Sequence, residues 1–299
     1  MKILAINYSQ SGQLNSIIHN FIRPLHKEHD IDRIIFKPKK DFPFPWTSDI
    51  FFNTMPESVL EEKVALEKIN YKYEKYDLII LGYQPWYLSP SIPTSSLLQD
   101  ENFRKLLPNT KVITIIGSRN MWLNSQESIK KSLSKGQAEL IANIVLSDKT
   151  NNQVSAITIL YWMLTTKKEK FLNIFPKPGV SNEDISKIEQ QGILLQNEIG
   201  TNDLNNIQEK FERNIPTIIP NDILFIEERA IKLFKMWAKL IKSKRKTRKL
   251  WVTIYKYYLL IALFIIAPIV IFFVNIFIFP FTKNYLKTKK QYFRGIQLK

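Results

Sequence analysis

The sequence predicts an α/β chain: a doubly wound, five-stranded parallel sheet with a helical elaboration and a C-terminal hydrophobic membrane segment. Three observations carry this. Short runs that are apolar along their whole length alternate with stretches of helical spacing, as expected of strands buried on both faces. Polar turns rich in Ser, Gly and Pro follow the strand candidates, where a sheet of this kind changes from strand to helix. Near the C-terminus, Tyr257 to Thr282 is a run of 26 residues without a charge.

Residues 2–8, KILAINY, read as the first strand, and the turn Ser9-Gln10-Ser11-Gly12-Gln13 follows at once. Leu14, Ile17, Ile18, Phe21, Ile22 and Leu25 then recur at helical spacing. Residues 31–36, 76–83, 111–117 and 139–147 complete five strands, with helices expected at 95–107 and 125–134. Residues 37–75 are irregular, with the cluster Phe42-Pro43-Phe44-Pro45-Trp46 and a helix expected near 56–69. Beyond 150 come an apolar helix at 153–165 and a capped start at Ser181-Asn182-Glu183-Asp184, turning Ile185, Ile188 and Leu195 inward. The expected organisation is a sheet domain over 1–150, an elaboration over 151–241 packed on it, and a basic juxtamembrane region with the membrane segment over 242–299.

Of 299 residues, 45% are hydrophobic and 23% charged, enough apolar surface for a core. The absence of cysteine removes disulfides, thiolate metal sites and a cysteine nucleophile. The net charge of +16 suggests nucleic acid until it is located. Residues 236–299 hold 14 Lys and Arg and no acid, which leaves +2 on residues 1–235. A nucleic-acid-binding body is therefore not expected, because neutralised phosphates need a basic folded surface. His19, His26 and His29 sit on or near the first helix and read as solvated positions, and no metal site is expected.

The uncharged run would extend roughly 39 Å as a helix, against about 30 Å of hydrocarbon. Lys242, Lys244, Arg245, Lys246, Arg248 and Lys249 precede it; Lys283, Lys287, Lys289 and Lys290 follow it. Both flanks meet the positive-inside criterion, and Pro268 and Pro280 permit a kink, so a tilted span and a hairpin both fit. Just upstream, Ile226, Ala230, Leu233, Phe234, Trp237 and Ile241 form an apolar stripe that suits either the interface or the body. With no basic leader and long apolar run at the N-terminus, the body is expected on the cytoplasmic face of the inner membrane.

Ligands of open parallel sheets sit beyond the carboxyl ends of the strands, where strand order reverses. Three loops there are unusual. Ser9, Gln10, Ser11, Gly12, Gln13 and Leu14 offer hydroxyls and backbone N–H groups at a helix start, an anion cradle that lacks the lysine of a P-loop and the glycines of a dinucleotide fingerprint. A phosphomonoester such as that of FMN suits it, and a plain capped helix start is the alternative. The second loop holds Gln84, Pro85, Trp86 and Tyr87 after Tyr83, aromatics able to flank a flat ring or simply to cover the core. The third holds Gly117, Ser118, Arg119 and Asn120, with donors for a ring carbonyl or an oxyanion.

The SQSGQL turn resembles the flavodoxin phosphate loop, with Ser9, Ser11 and Gly12 matching and Leu14 replacing the last hydroxyl. More specifically, YSQSGQL, FPFPWTSDIFFNTMPESVL, GYQPWYLSPSIP, GSRNMW and the apolar tail opened by KYYLL resemble the DarA-type proteins of dialkylresorcinol biosynthesis, over nearly the whole chain. That resemblance implies a flavodoxin-like fold and a ketosynthase partner that supplies a 2,5-dialkylcyclohexane-1,3-dione. It further implies oxidation of that ring to a dialkylresorcinol. Removing two hydrogens suits a flavin. FMN phosphate is then expected on Ser9 to Gln13, and the ring between the second and third loops. Tyr83, Tyr87 and Arg119 are the candidates to polarise the dione. A generic FMN-dependent NAD(P)H:quinone-type oxidoreductase and a non-enzymatic membrane adaptor of the ketosynthase remain alternatives.

Overall fold

The computed structural model describes residues 1–201 and 203–298. Five parallel strands form one sheet: β1 (Lys2–Asn7), β2 (Asp30–Ile35), β3 (Leu78–Tyr83), β4 (Lys111–Ser118) and β5 (Glu139–Ser147). Their order is β2-β1-β3-β4-β5. This is the flavodoxin-like doubly wound order, whose switch point lies between β1 and β3. Alternate residues go to opposite faces, and both faces are covered. Ile3, Ala5, Leu78 and Ile80 pack with α1 (Gln13–Ile22), while Leu4, Ile6, Ile79 and Leu81 pack on the other side. That two-sided burial is why these strands read as continuous apolar runs.

The second face is covered by α3 (Ile92–Leu97), α4 (Glu101–Lys105) and α5 (Leu123–Lys135), so the expected helix over 95–107 is two short helices broken near Asp100. The helix expected near 56–69 lies earlier, as α2 (Ser48–Val59). Thr47 caps it by accepting from Ile50 N at 3.2 Å, and Pro56 sits inside its last turn. The elaboration comprises α6 (Asn152–Thr165), α7 (Asn182–Gly200), α8 (Ile207–Asn214) and α9 (Asn221–Ser243). Ser181 caps α7 as its sequence indicated, accepting from Asp184 N at 3.0 Å. Helix α7 lies on α1, and α9 on α2.

The stripe expected on α9 is rotated. Its buried residues are Ile223, Leu224, Glu227, Ala238 and Ile241, whereas Leu233 is 43% exposed. One helix long and apolar enough to cross a membrane follows, over Arg245–Phe277, with a window of mean hydropathy 3.0 that is only 6% buried. It contains α10 (Arg248–Ile261) and α11 (Ala267–Phe277), and the described chain closes with α12 (Lys283–Arg294).

Candidate functional site

The first loop leaves β1 beside the switch point. Gly82 of β3 is required there, because a Cβ would lie 2.8 Å from Ile18 Cδ1 and 2.9 Å from Asn7 Cβ. Helix α1 therefore presses close to the sheet, and its N-terminus opens on the turn. Gly12 adopts φ 81° in the N-cap position, where it has no side chain to cap the helix. A Cβ at Gly12 would meet nothing within 4 Å, so the backbone here faces open space. Ser9 Oγ accepts from Leu14 N at 3.2 Å, which fixes the turn from within. Unpaired N–H groups at a helix start, with hydroxyls beside them, favour an anion.

A cleft of about 490 Å³ opens on this turn. Ser11, Gly12 and Ser16 form one wall; Trp162, Lys168 and Asn182 face them from the elaboration. The Lys168 ammonium lies 5.3 Å from the centre of the Trp162 ring. Desolvation, with Lys177 nearby, lowers its pKa from the usual lysine value. The cation absent from the turn itself is thus supplied by a segment distant in sequence. The sequence reading missed Lys168 and Trp162, since the lysines at 167–170 look like an ordinary charged loop.

The first and second loops are joined. With its amide oriented to serve both neighbours, Gln84 accepts from Gln10 N at 3.2 Å and from Trp86 Nε1 at 3.2 Å. Gln10 in turn donates through Nε2 to Phe42 O (3.1 Å) and Pro43 O (2.9 Å). The 42–46 segment therefore folds over the turn. Trp86 meets Phe42 edge-on at 5.0 Å and Trp46 at 5.1 Å, and Tyr8 at 6.1 Å. The third loop turns toward α6: Arg119 Nη1 donates to Asn152 O at 3.0 Å, and Asn120 Nδ2 to Asn152 Oδ1 at 3.2 Å. Burial lowers the Arg119 pKa to about 10, so its guanidinium stays cationic. Ser118 Oγ, Asn120 Oδ1 and Trp46 Nε1 are buried without a hydrogen-bond partner among the described residues.

Several expected site residues have other work. Tyr83 is fully buried and its hydroxyl donates to Gln126 Oε1 at 2.6 Å within the core. Burial also raises its pKa well above the usual tyrosine value. Tyr87 sits at φ 48° in the bend between Pro85–Trp86 and Ser89–Pro90, a two-strand ribbon, and its hydroxyl donates to Phe51 O at 2.6 Å. The Leu14 side chain lies in the core and reaches toward Gly117, whose Cβ would lie 3.3 Å from Leu14 Cδ1. Gln13 pins the elaboration, donating to Val180 O at 3.0 Å and accepting from Val180 N at 3.1 Å. Of the expected residues, Ser11 and Gly12 line the cleft, whereas Ser9 Oγ is engaged by Leu14 N and Arg119 by Asn152 O.

One buried acid was missed altogether. Glu227 of α9 is 0% exposed, and its Oε1 accepts from Asn124 N at 2.8 Å in the first turn of α5. Oε2 has no hydrogen-bond partner among the described residues. Desolvation raises its pKa to about 7, against the pull of the α5 backbone N–H groups. Its charge is felt by both Tyr83 and Arg119.

The residues fit an organic phosphate at the turn: an open glycine cradle, a helix start with a glycine N-cap and Lys168 across the cleft. At the ring end, Phe42 and Trp46 already cover Trp86, so a flat ring there requires the 42–46 segment to move.

No protein-family model matches the sequence, and curated proteins give no match. Solved structures do. A flavoprotein from Lactobacillus acidophilus, determined in complex with FMN, is 16% identical at a TM-score of 0.38, over 48% of this chain and 92% of that one. Flavodoxin 1 from Bacillus cereus is 16% identical at 0.35, over 66% and 98%. A flavodoxin from the Archaea is 10% identical at 0.37, over 67% and 99%. The fold assignment itself stands on the strand order.

Proposed function

We propose that this chain is a membrane-associated flavoprotein that holds FMN, and that it oxidises a 2,5-dialkylcyclohexane-1,3-dione to a dialkylresorcinol. In this reading a ketosynthase of the same pathway delivers the dione at the cytoplasmic face of the inner membrane. The observation that carries the cofactor assignment is the left-handed Gly12 at the start of α1, opening on the cleft that holds Lys168. The residues that would hold the phosphate are Ser9, Ser11, Gly12 and Lys168. When bound, the flavin supplies the two-electron acceptor that aromatisation of the ring requires.

The chain's own contribution is binding and charge. Arg119, cationic and tethered to Asn152 O, is the residue to hold a ring oxygen as negative charge develops on it. The aromatic layer of Phe42, Trp46 and Trp86 excludes water from the carboxyl ends of β1 and β3.

The test is the absorption spectrum of detergent-purified protein after addition of FMN and desalting. The unaltered chain is expected to retain an oxidised flavin band and Ser11→Asp to lose it, since a carboxylate in the cradle repels the phosphate. A Ser11→Asp protein that keeps FMN and aromatises the dione normally would sink this placement. Retained flavin that NADPH reduces, with no turnover of cyclic diones, would point to the generic quinone-type oxidoreductase instead. The adaptor reading has one specific support, the covering of Trp86 by Phe42 and Trp46, and a chain that never retains FMN would favour it.

A further inference from the structure

We infer that the apolar C-terminal helix is monotopic: it embeds in one leaflet of a lipid bilayer and does not cross it. The inference is independent of the chemistry proposed above.

It rests on where the two ends of the helix are held. At the near end, Arg248 donates to both carboxylate oxygens of Glu57 on α2, at 2.9 and 2.8 Å, and to Asn53 O at 2.7 Å. Just before it, Lys242 reaches Glu62 at 2.9 Å. At the far end, the Phe279 ring meets Phe225 of α9 at 6.1 Å, and Phe279 is buried. Lys289 then pairs with Glu228 of α9 at 2.5 Å, and Tyr292 donates to Glu127 of α5 at 2.7 Å. Arg294 Nε donates to Thr217 O at 3.0 Å, and Gln208 Nε2 to Arg294 O at 2.9 Å. Both flanks are thus docked on the same folded body.

The body also runs alongside. Trp237 faces Tyr258 at 5.0 Å and Phe234 faces Tyr255 at 6.2 Å toward one end of α9, and Phe225 faces Phe279 toward the other, so the helix leaves and rejoins the same helix of the body. A span of 30 residues of helix reaches about 45 Å. Crossing the roughly 30 Å hydrocarbon layer would place the two flanks in different aqueous compartments, and one body cannot grip both. The outer side of the helix is left to lipid: Ile265, Ile269, Phe272, Phe273 and Phe277 are each more than half exposed. On both flanks lysines remain exposed, among them Lys244, Lys246, Lys283 and Lys287, and they suit the anionic headgroups of a single leaflet. The sequence puzzle of two equally basic flanks has the same resolution, because both flanks face the same side.

The chain has no cysteine, so single introduced thiols report position without background. Lys246→Cys, Asn284→Cys and the body control Lys135→Cys are placed at exposed positions in the full-length protein. Sealed membrane vesicles of one orientation are then treated with a membrane-impermeant maleimide before and after permeabilisation. All three thiols are expected to react from the same side. Lys246→Cys and Asn284→Cys reacting from opposite sides would overturn the inference. Repeating the pair as Lys244→Cys and Lys287→Cys guards against a local effect of either substitution.

Discussion

Glu227→Gln makes the buried acid measurable. In the folded chain the carboxyl has a pKa of about 7 instead of 4.5, mainly because burial penalises its charge. At ~1.4 kcal/mol per pH unit, that gap makes the ionised form cost ~3 kcal/mol of folded-state stability. The folded protein binds this proton more tightly than the unfolded one. Its stabilising effect is therefore complete below pH 4.5 and is lost as pH rises through 7. The full exclusion of Glu227 from solvent leaves no screening to discount. An amide keeps the acceptor for Asn124 N and has no charge to bury. Thermal unfolding of both full-length proteins in detergent, every pH unit from 5 to 9, gives the difference in Tm. Titrating groups common to the two proteins cancel. The difference is expected to be smallest at pH 5 and to grow to ~6 °C in favour of Glu227→Gln by pH 8, at ~2 °C per kcal/mol for a chain of this length. A difference that is flat with pH, or that shrinks as pH rises, would refute the reasoning.

Four further outcomes follow from the geometry. Gly12→Ala has space but not conformation, so it should cost ~1–2 kcal/mol from the left-handed backbone, read by chemical unfolding, and should weaken FMN retention. Lys168→Met should weaken FMN ~10-fold or more by removing one charge-assisted contact, read by fluorescence titration, with an effect that shrinks at high salt. Gly82→Ala drives a Cβ to 2.8 Å from Ile18 and should cost ~1–3 kcal/mol of stability by overpacking. Phe42→Ala should raise the rate of flavin entry in stopped-flow binding, because it thins the layer over Trp86.

Much of the sheet was legible because burial on both faces writes itself as uninterrupted apolar runs. Residues 139–147 were placed to the residue, and 2–8 and 111–117 within one. The turn at Ser9–Gly12 was legible as a polar, glycine-bearing break between an apolar run and a helical pattern, and the structure adds that Gly12 is left-handed. What stayed hidden depends on distant partners. Lys168 looks like one more surface lysine until Trp162 and the α1 turn are brought to it. Glu227 lies one residue from the apolar stripe read along α9, and only the helix's actual rotation turns it inward onto α5. Tyr83 ends its strand as a site residue would, but strand position does not reveal that Gln126 waits for its hydroxyl inside the core.

These same contacts join the membrane face to the site. Tyr87 of the second loop packs against Phe51 at 5.2 Å and against Phe234 of α9 at 6.3 Å. Phe234 in turn meets Tyr255 of the apolar helix, while Lys256 Nζ lies 3.0 Å from Ser48 Oγ at the start of α2. One aromatic layer therefore separates the lipid-facing helix from the loops at the carboxyl end of β3. In the proposed reading, a dione with two alkyl chains would enter from the leaflet, and this layer is what lies between the lipid and the second loop. A helix crossing the bilayer would carry its far half away from the body and forfeit this arrangement. A helix anchored to α9 at both ends keeps its start beside the second loop and leaves its outer apolar face to lipid.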